Sequence, residues 1–217
     1  MVIQEVTAPT VEPLSLADIK RHVRVEWDFE EDDTYLRTLI KAVRFFTENY
    51  TGAALVQRTY DYWLDSFPRG SGLMLPRPPL TSVSTLTYTD YAGTQTSMSL
   101  STDYTEDSPP ALVSDPDLVV DTDSLPGRLV LAWGKVWPSV TLNPVNPIRI
   151  RFTAGYADDG GSPADYRVNI PMDLKLGMYL ILADWFNQRE DNSLGVPIYR
   201  MPRPAEALLN QYRYWGV

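Results

Sequence analysis

The sequence predicts an α+β fold in which an antiparallel β-module is inserted into a discontinuous helical bundle. Near both ends of the chain, apolar residues recur every three or four positions, which is typical of amphipathic helices. Between these regions the spacing changes to two, which is typical of strands. Because neither terminal quarter can bury its own helices, the two N-terminal and two C-terminal helices are expected to pack together. The predicted domains are 1–54 with 166–217, and the inserted β-rich module 55–165.

The N-terminal helices are predicted to follow an extended arm. Ser15, with Asp18 three residues later, forms a capping-box-like start for a short helix. An acidic turn then leads to a long helix near 33–51, whose apolar residues repeat at three and four. Gly52 suits the position just after its last turn.

The β-module is predicted to contain short strands separated by turns. Pro76, Pro78 and Pro79 fix φ and remove backbone donors, so they predict a rigid corner between two strands. Alternation predicts a strand over 148–156 with Ile148, Ile150 and Phe152 on one face. For the acidic, weakly patterned residues 101–124 the sequence predicts no definite structure. The predicted strands lie near 56–64, 73–75, 82–90, 94–100, 127–133 and 148–156.

A second long helix is predicted near 171–189, with Pro171 as its first residue. Leu174, Met178 and Ile181 lie on one stripe, and the helix is apolar on most sides, so it should be buried against the helix near 33–51. A proline-rich linker follows. Residues 205–215 are expected to form a short helix or an extended arm.

Composition excludes several classes of protein. Lys and Arg total 19 against 28 Asp and Glu, a net charge of −9, which disfavours tight non-specific binding of nucleic acid because that affinity comes from neutralising phosphates. The chain has no cysteine, so disulfides and thiolate chemistry are excluded. The N-terminus lacks the pattern of a signal peptide, and no apolar run is long enough to span a membrane.

No catalytic or cofactor motif is recognisable. His22 is the only histidine, and the glycines are dispersed instead of forming a phosphate loop. We therefore predict no enzyme activity, no metal and no cofactor. The alternative is a carbohydrate-binding or hydrolytic β-module on a helical base, in which aromatic side chains stack on sugars instead of packing in the core. Those aromatic residues are Tyr60, Tyr62, Trp63, Tyr88 and Tyr91.

The order of the sequence blocks resembles the head–tail connector proteins, or head-completion adaptors, of long-tailed bacteriophages. The resemblance spans nearly the whole chain, although 101–124 is longer than the family pattern needs. It rests on PLSLADIKRHVRV, DDTYLRTLIKAVRFFTENYTGAAL, LPRPPLTSVSTLTYTD, LPGRLVLAWGKVWP, IRIRFTAGYADD, IPMDLKLGMYLILADWFNQRED and ALLNQYRYW.

This resemblance implies a structural virion protein, assembled in the host cytoplasm, that forms a ring under the portal protein and links the filled capsid to the tail. The ring would be twelvefold, and further neck or tail-completion proteins would dock beneath it. DNA would pass through the channel without specific binding, as an acidic lining allows. The isolated subunit is expected to be monomeric or weakly associated.

Two groups of residues are candidate contacts with neighbours in such a ring. Arg37, Lys41 and Arg44 recur at helical spacing; they form either a partner-facing basic stripe or a solvated face paired with nearby acids. The C-terminal segment either docks on its own helical domain or anchors on a neighbour. Its large side chains are Leu208, Leu209, Tyr212, Tyr214 and Trp215.

Overall fold

The computed structural model describes residues 1–101, 116–161, 165–188 and 201–214, and the chain divides into two compact units. The sheet unit comprises Met1–Ala8 and Gln57–Gly155, and the helical unit comprises Pro9–Val56 and Tyr156–Gly216. These bounds differ from the predicted domains at both junctions. The N-terminal residues, assigned to the helical domain from sequence, form a strand of the sheet unit.

The strands of the sheet unit form two sheets. The first has the order β1-β2-β9-β4-β5 and the second has the order β3-β8-β7-β6. The strands are β1 (Val2–Glu5), β2 (Arg58–Leu64), β3 (Gly72–Met74), β4 (Leu80–Thr89), β5 (Gln95–Met98), β6 (Leu100–Ser101), β7 (Leu118–Asp121), β8 (Arg128–Leu131) and β9 (Ile148–Ala154).

All pairs in the first sheet are antiparallel, as predicted, whereas β6 and β7 in the second sheet run parallel. The proline corner lies between β3 and β4, where it was expected. Strand β9 is central: Ile150 stands opposite Tyr62 of β2 and Leu86 of β4. Ile148, Ile150 and Phe152 are fully buried, which confirms the alternation predicted for this strand.

The helical unit contains α1 (Leu16–Val23), α2 (Asp33–Thr51), α3 (Met172–Asn187) and α4 (Arg203–Asn210). Ser15 caps α1: its side chain accepts a hydrogen bond from the Asp18 backbone N–H at 3.1 Å. Gly52 ends α2 with φ at +76°, and its N–H donates to the Glu48 carbonyl. Both ends follow the predicted capping. Pro171 precedes α3 as its N-cap, one position earlier than predicted.

One apolar core holds the helical unit together. Buried side chains from α1, α2, α3 and α4 belong to the same cluster, and α2 contacts α3 directly. Leu36, Ile40 and Val43 of α2 join Leu174, Met178 and Ile181 of α3 in this core. The prediction that the N-terminal and C-terminal helices share a core across the insertion is confirmed.

The turn between β7 and β8 depends on an ionised Asp121. Its Oδ1 accepts the N–H groups of Asp123 and Ser124, and its Oδ2 accepts the Ser124 hydroxyl at 2.7 Å and Arg128 Nε at 2.8 Å. The hydrogen bonds from Ser124, followed by the one from Arg128, lower the pKa of Asp121 to about 2. The turn is therefore stabilised by the carboxylate and not by the acid.

This pKa leads to a pH-dependent prediction. Because the folded-state pKa lies below the unfolded value of about 4, the contribution of Asp121 is present above pH 4 and is lost as the pH falls towards 2. In denaturant titrations of the full protein at a series of pH values, the free energy of unfolding of the sheet unit should rise less between pH 2 and pH 4 in Asp121→Asn than in the wild type. Asp123→Asn, in the same turn, is the matched control. An unchanged pH profile in Asp121→Asn would contradict the prediction.

Candidate assembly interface

The residues considered for chemistry do not converge on a reactive site in the described part of the chain. His22 is exposed on α1 and stacks on Tyr179, with ring centroids 5.3 Å apart. Among the described residues, no group of three or more His, Asp or Glu side chains could hold a metal ion. None of the described helices combines the length and apolarity needed to cross a membrane.

Four of the five aromatic residues considered for sugar stacking make packing contacts within the sheet unit, whereas Tyr91 is 75% exposed. Tyr60 and Tyr62 are buried, with 5% and 6% exposure, and Tyr60 stacks on Phe152. Trp63 lies under the Arg149 guanidinium at 5.6 Å, and Tyr88 contacts Phe67 edge-on. Most of these rings serve the packing of the sheet unit. The carbohydrate-directed alternative gains no support from their placement.

The predicted basic stripe on α2 separates into two parts. Arg37 and Lys41 are exposed, and the Arg37 side chain retains 65% exposure beside Asp33. Arg44 has only 12% side-chain exposure and forms ion pairs with Glu12 at 2.8 Å and Glu48 at 3.1 Å. Arg44 is therefore corrected from a candidate contact to a structural residue, because its charge is satisfied within the helical unit.

The C-terminal segment docks on its own helical unit as far as residue 214. Leu209 is fully buried in the shared core, so it too is corrected from a candidate contact. Its approach depends on Gly177 of α3, because a Cβ there would lie 2.9 Å from Leu209 Cδ2. The Tyr214 N–H donates to the Thr51 carbonyl at 2.8 Å, and the Tyr50 hydroxyl donates to Asn210 Oδ1 at 2.7 Å.

The remaining C-terminal candidates lie at the edge of this packing. Leu208, Tyr212 and Tyr214 are partly exposed, whereas Trp215 lies outside the described residues. Burial raises the pKa of the nearby Tyr156 to about 12, with smaller contributions from Tyr214 and Tyr212. Because Leu208, Tyr212 and Tyr214 are only partly covered by their own helical unit, part of the surface of each is available to another molecule.

Large apolar side chains are exposed on both units, and sequence patterns did not single them out as contacts. On the helical unit, Trp27 is 86% exposed and Phe45 is 65% exposed. On the sheet unit, the segment between β8 and β9 exposes Trp133 completely and Val136 at 80%. This segment is anchored by Trp137, which stacks on Phe67 and donates from Nε1 to the Gly70 carbonyl at 2.7 Å.

The fold defined by these two units is that of a virion neck protein. It matches, over 100% of this chain and 97% of the other, a chain in the neck of an empty gene transfer agent particle computed with C6 symmetry, with a TM-score of 0.70 and 25% identity. The resemblance to head–tail connector proteins is thereby confirmed at the level of fold.

Two further solved structures match over the same extents at 24% identity. One is the virion of a native gene transfer agent particle, with a TM-score of 0.72, and the other is the neck of the native particle computed with C12 symmetry, with a TM-score of 0.66. No protein-family model and no curated protein matches the chain in sequence.

Proposed function

We propose that the protein is a structural head–tail connector of a virion, an adaptor that forms a ring in the neck between the DNA-filled capsid and the tail. The observation that carries this proposal is the match to a neck chain over the full length of this protein at 25% identity. A match that covers both units supports an equivalent role for the whole chain and not only for one shared domain.

The ring is proposed to have twelve subunits and to bind beneath the portal protein, with further neck or tail-completion proteins below it. The neck particles reconstructed with C6 and C12 symmetry support a cyclic arrangement. The net charge of −9 suits a channel through which DNA passes without being held. We further propose assembly in the host cytoplasm and no enzymatic activity.

The contacts proposed within the neck are the predicted candidates other than Arg44 and Leu209. They are Arg37 and Lys41 on α2, and Leu208, Tyr212 and Tyr214 after α3, together with Trp215 from the sequence analysis. The ion pairs of Arg44 and the burial of Leu209 leave each group smaller than the sequence suggested. An isolated subunit with this limited surface should remain monomeric or weakly associated until the portal provides a template.

The test is assembly on the portal protein encoded by the same genome. We expect the purified protein to sediment as a monomer or weak oligomer, and to form rings visible by electron microscopy when portal is added. Twelvefold class averages would support the stoichiometry. A protein that forms no ring with portal, or that binds glycans or turns over a polysaccharide instead, would contradict the proposal.

A further inference from the structure

The turn between α1 and α2 presents an aromatic side chain to solvent. Trp27 is 86% exposed and Phe29 is 41% exposed, although the rest of the helical unit has a well-formed core. An exposed tryptophan of this kind is the residue type most enriched among the anchors of protein interfaces. The turn, residues 24–32, is therefore a candidate docking element.

The backbone of this turn is held in place by hydrogen bonds from a buried lysine. Lys20 of α1 is only 5% exposed, and its Nζ donates to the carbonyl oxygens of Trp27 at 3.2 Å and Phe29 at 2.7 Å. The same ammonium forms an ion pair with Asp33 at the start of α2. The turn is thus ordered before any partner arrives, which lowers the entropic cost of binding through it.

The surroundings of Trp27 are strongly acidic. Glu26, Asp28, Glu30 and Glu31 are all exposed in the same turn, and Arg24 is the only basic residue in it. A surface that accepts this turn should therefore combine an apolar side chain with positive charge, since like charges brought together oppose binding.

The exposed face of α2 has this combination. Arg37, Lys41 and Phe45 are each four residues apart, so they lie along one face of the helix. Arg37 and Phe45 each retain 65% exposure, and Lys41 is exposed as well. The high exposure of Trp27 and Phe45 within a single copy shows that the turn does not pack on this face in its own subunit.

We propose that the α1–α2 turn of one copy docks on the Arg37–Lys41–Phe45 face of a neighbouring copy in the ring. Trp27 packs on Phe45, and the acidic side chains of the turn lie beside the two basic ones. The inference rests on the proposed connector function and deepens it by naming one contact between subunits. A turn that meets a different surface on the next copy makes a head-to-tail contact, the kind of contact from which closed rings are built, and the matching neck particles were computed with cyclic symmetry.

The first test uses engineered cysteines in a chain that has none of its own. Asp28→Cys and Ala42→Cys are prepared separately, mixed under ring-forming conditions with portal and oxidised. We expect a cross-linked pair between the two variants. The control replaces Ala42→Cys by Val136→Cys, which is exposed on the sheet unit. Adding Trp27→Ala to the Asp28→Cys chain should lower the yield at least about tenfold, as loss of an interface anchor does.

The second test exchanges the charges. A turn variant, Glu26→Lys with Glu30→Lys and Glu31→Lys, makes the turn basic, and a helix variant, Arg37→Glu with Lys41→Glu, makes the helix face acidic. Each variant should fold normally but lose ring formation. An equimolar mixture of the two should form rings again. If the two variants alternate around the ring, each turn meets a helix face of opposite charge. Melting temperatures check that both variants remain folded.

The outcomes separate this contact from the function on which it rests. Rings formed by either charge variant alone, no restoration in the mixture, or a closed dimer as the end product would overturn the contact while leaving the connector function in place. If the wild-type protein forms no rings with portal and the two cysteine variants form no cross-link, both the contact and the connector function are overturned. Restored rings together with the specific cross-link support both.

Discussion

Removal of residues 205–217 is expected to unfold the helical unit. This change deletes Leu209 and Ala205, which are fully buried in the shared core. It also removes the Tyr214 N–H that donates to Thr51 and the Asn210 partner of Tyr50. Truncating a single buried leucine to alanine costs about 2–5 kcal/mol, and a whole domain is stable by only about 5–15 kcal/mol. The combined loss should therefore leave little stability in this unit.

The measurement is thermal and denaturant unfolding followed by far-UV circular dichroism, with hydrogen exchange to locate the loss in α2 and α3. The matched control ends the chain after Tyr214, which retains α4 and all its described contacts. An equally stable protein lacking residues 205–217 would show that α4 is not part of the core. If the protein lacking residues 205–217 were stable but did not assemble into rings, the segment would be an assembly element and not part of the core.

In the sheet unit, substitution of Phe152 is expected to cause a large loss of folding stability. The side chain is fully buried at the centre of β9 and stacks on Tyr60 with ring centroids 5.5 Å apart. Phe152→Ala should lower the free energy of unfolding by about 3–5 kcal/mol, because it removes apolar burial and leaves a cavity. Val136→Ala, at 80% exposure on the same unit, should change stability by less than about 0.5 kcal/mol.

Equilibrium unfolding monitored by near-UV circular dichroism would report this difference. A loss in Phe152→Ala as small as that of the exposed control would show that the sheet unit relaxes to fill the space, or that Phe152 is not central to its core.

Sequence patterns predicted the elements whose formation depends on local chemistry. Helix α2 was placed within its observed bounds because its periodicity is long and Gly52 ends it. Strand β9 was predicted with the correct buried face because three apolar residues alternate with polar ones. In both elements the local pattern and the tertiary structure agree.

The elements and contacts that were missed depend on partners far away in the chain. Strand β1 is too short to show a pattern, and it is a strand because β2 pairs with it. From sequence Arg44 resembled a surface cation, but its Nε donates to the carboxylate of Glu12, which lies 32 positions earlier in the chain. Whether Leu209 docks on its own unit or on a neighbour was left open from sequence, because its contact Gly177 belongs to a separate helix. No local pattern contains these pairings.

The sequence also gave no reason to select Trp27 or Lys20. A single exposed tryptophan in an acidic turn resembles any loop aromatic, and a lysine on a short helix resembles any solvated cation. Their roles become visible only when Lys20 Nζ is seen to bond the backbone that carries Trp27. The candidate interface could therefore be predicted in its basic half, at Arg37 and Lys41, but not in its acidic half.

The discontinuity of both units has a consequence for synthesis on the ribosome. Strand β1 is synthesised before β2 and cannot pair until β2, more than fifty residues later, has also been made. The helical unit waits longer still, because Ile19 of α1 and Leu209 of α4 belong to the same core although the whole sheet insertion lies between them in sequence. Pairings this distant in sequence slow folding and leave apolar surface exposed in the meantime. A nascent chain therefore cannot complete either core until these late residues have left the ribosome, and a chain that lacks them should not be competent to join a ring.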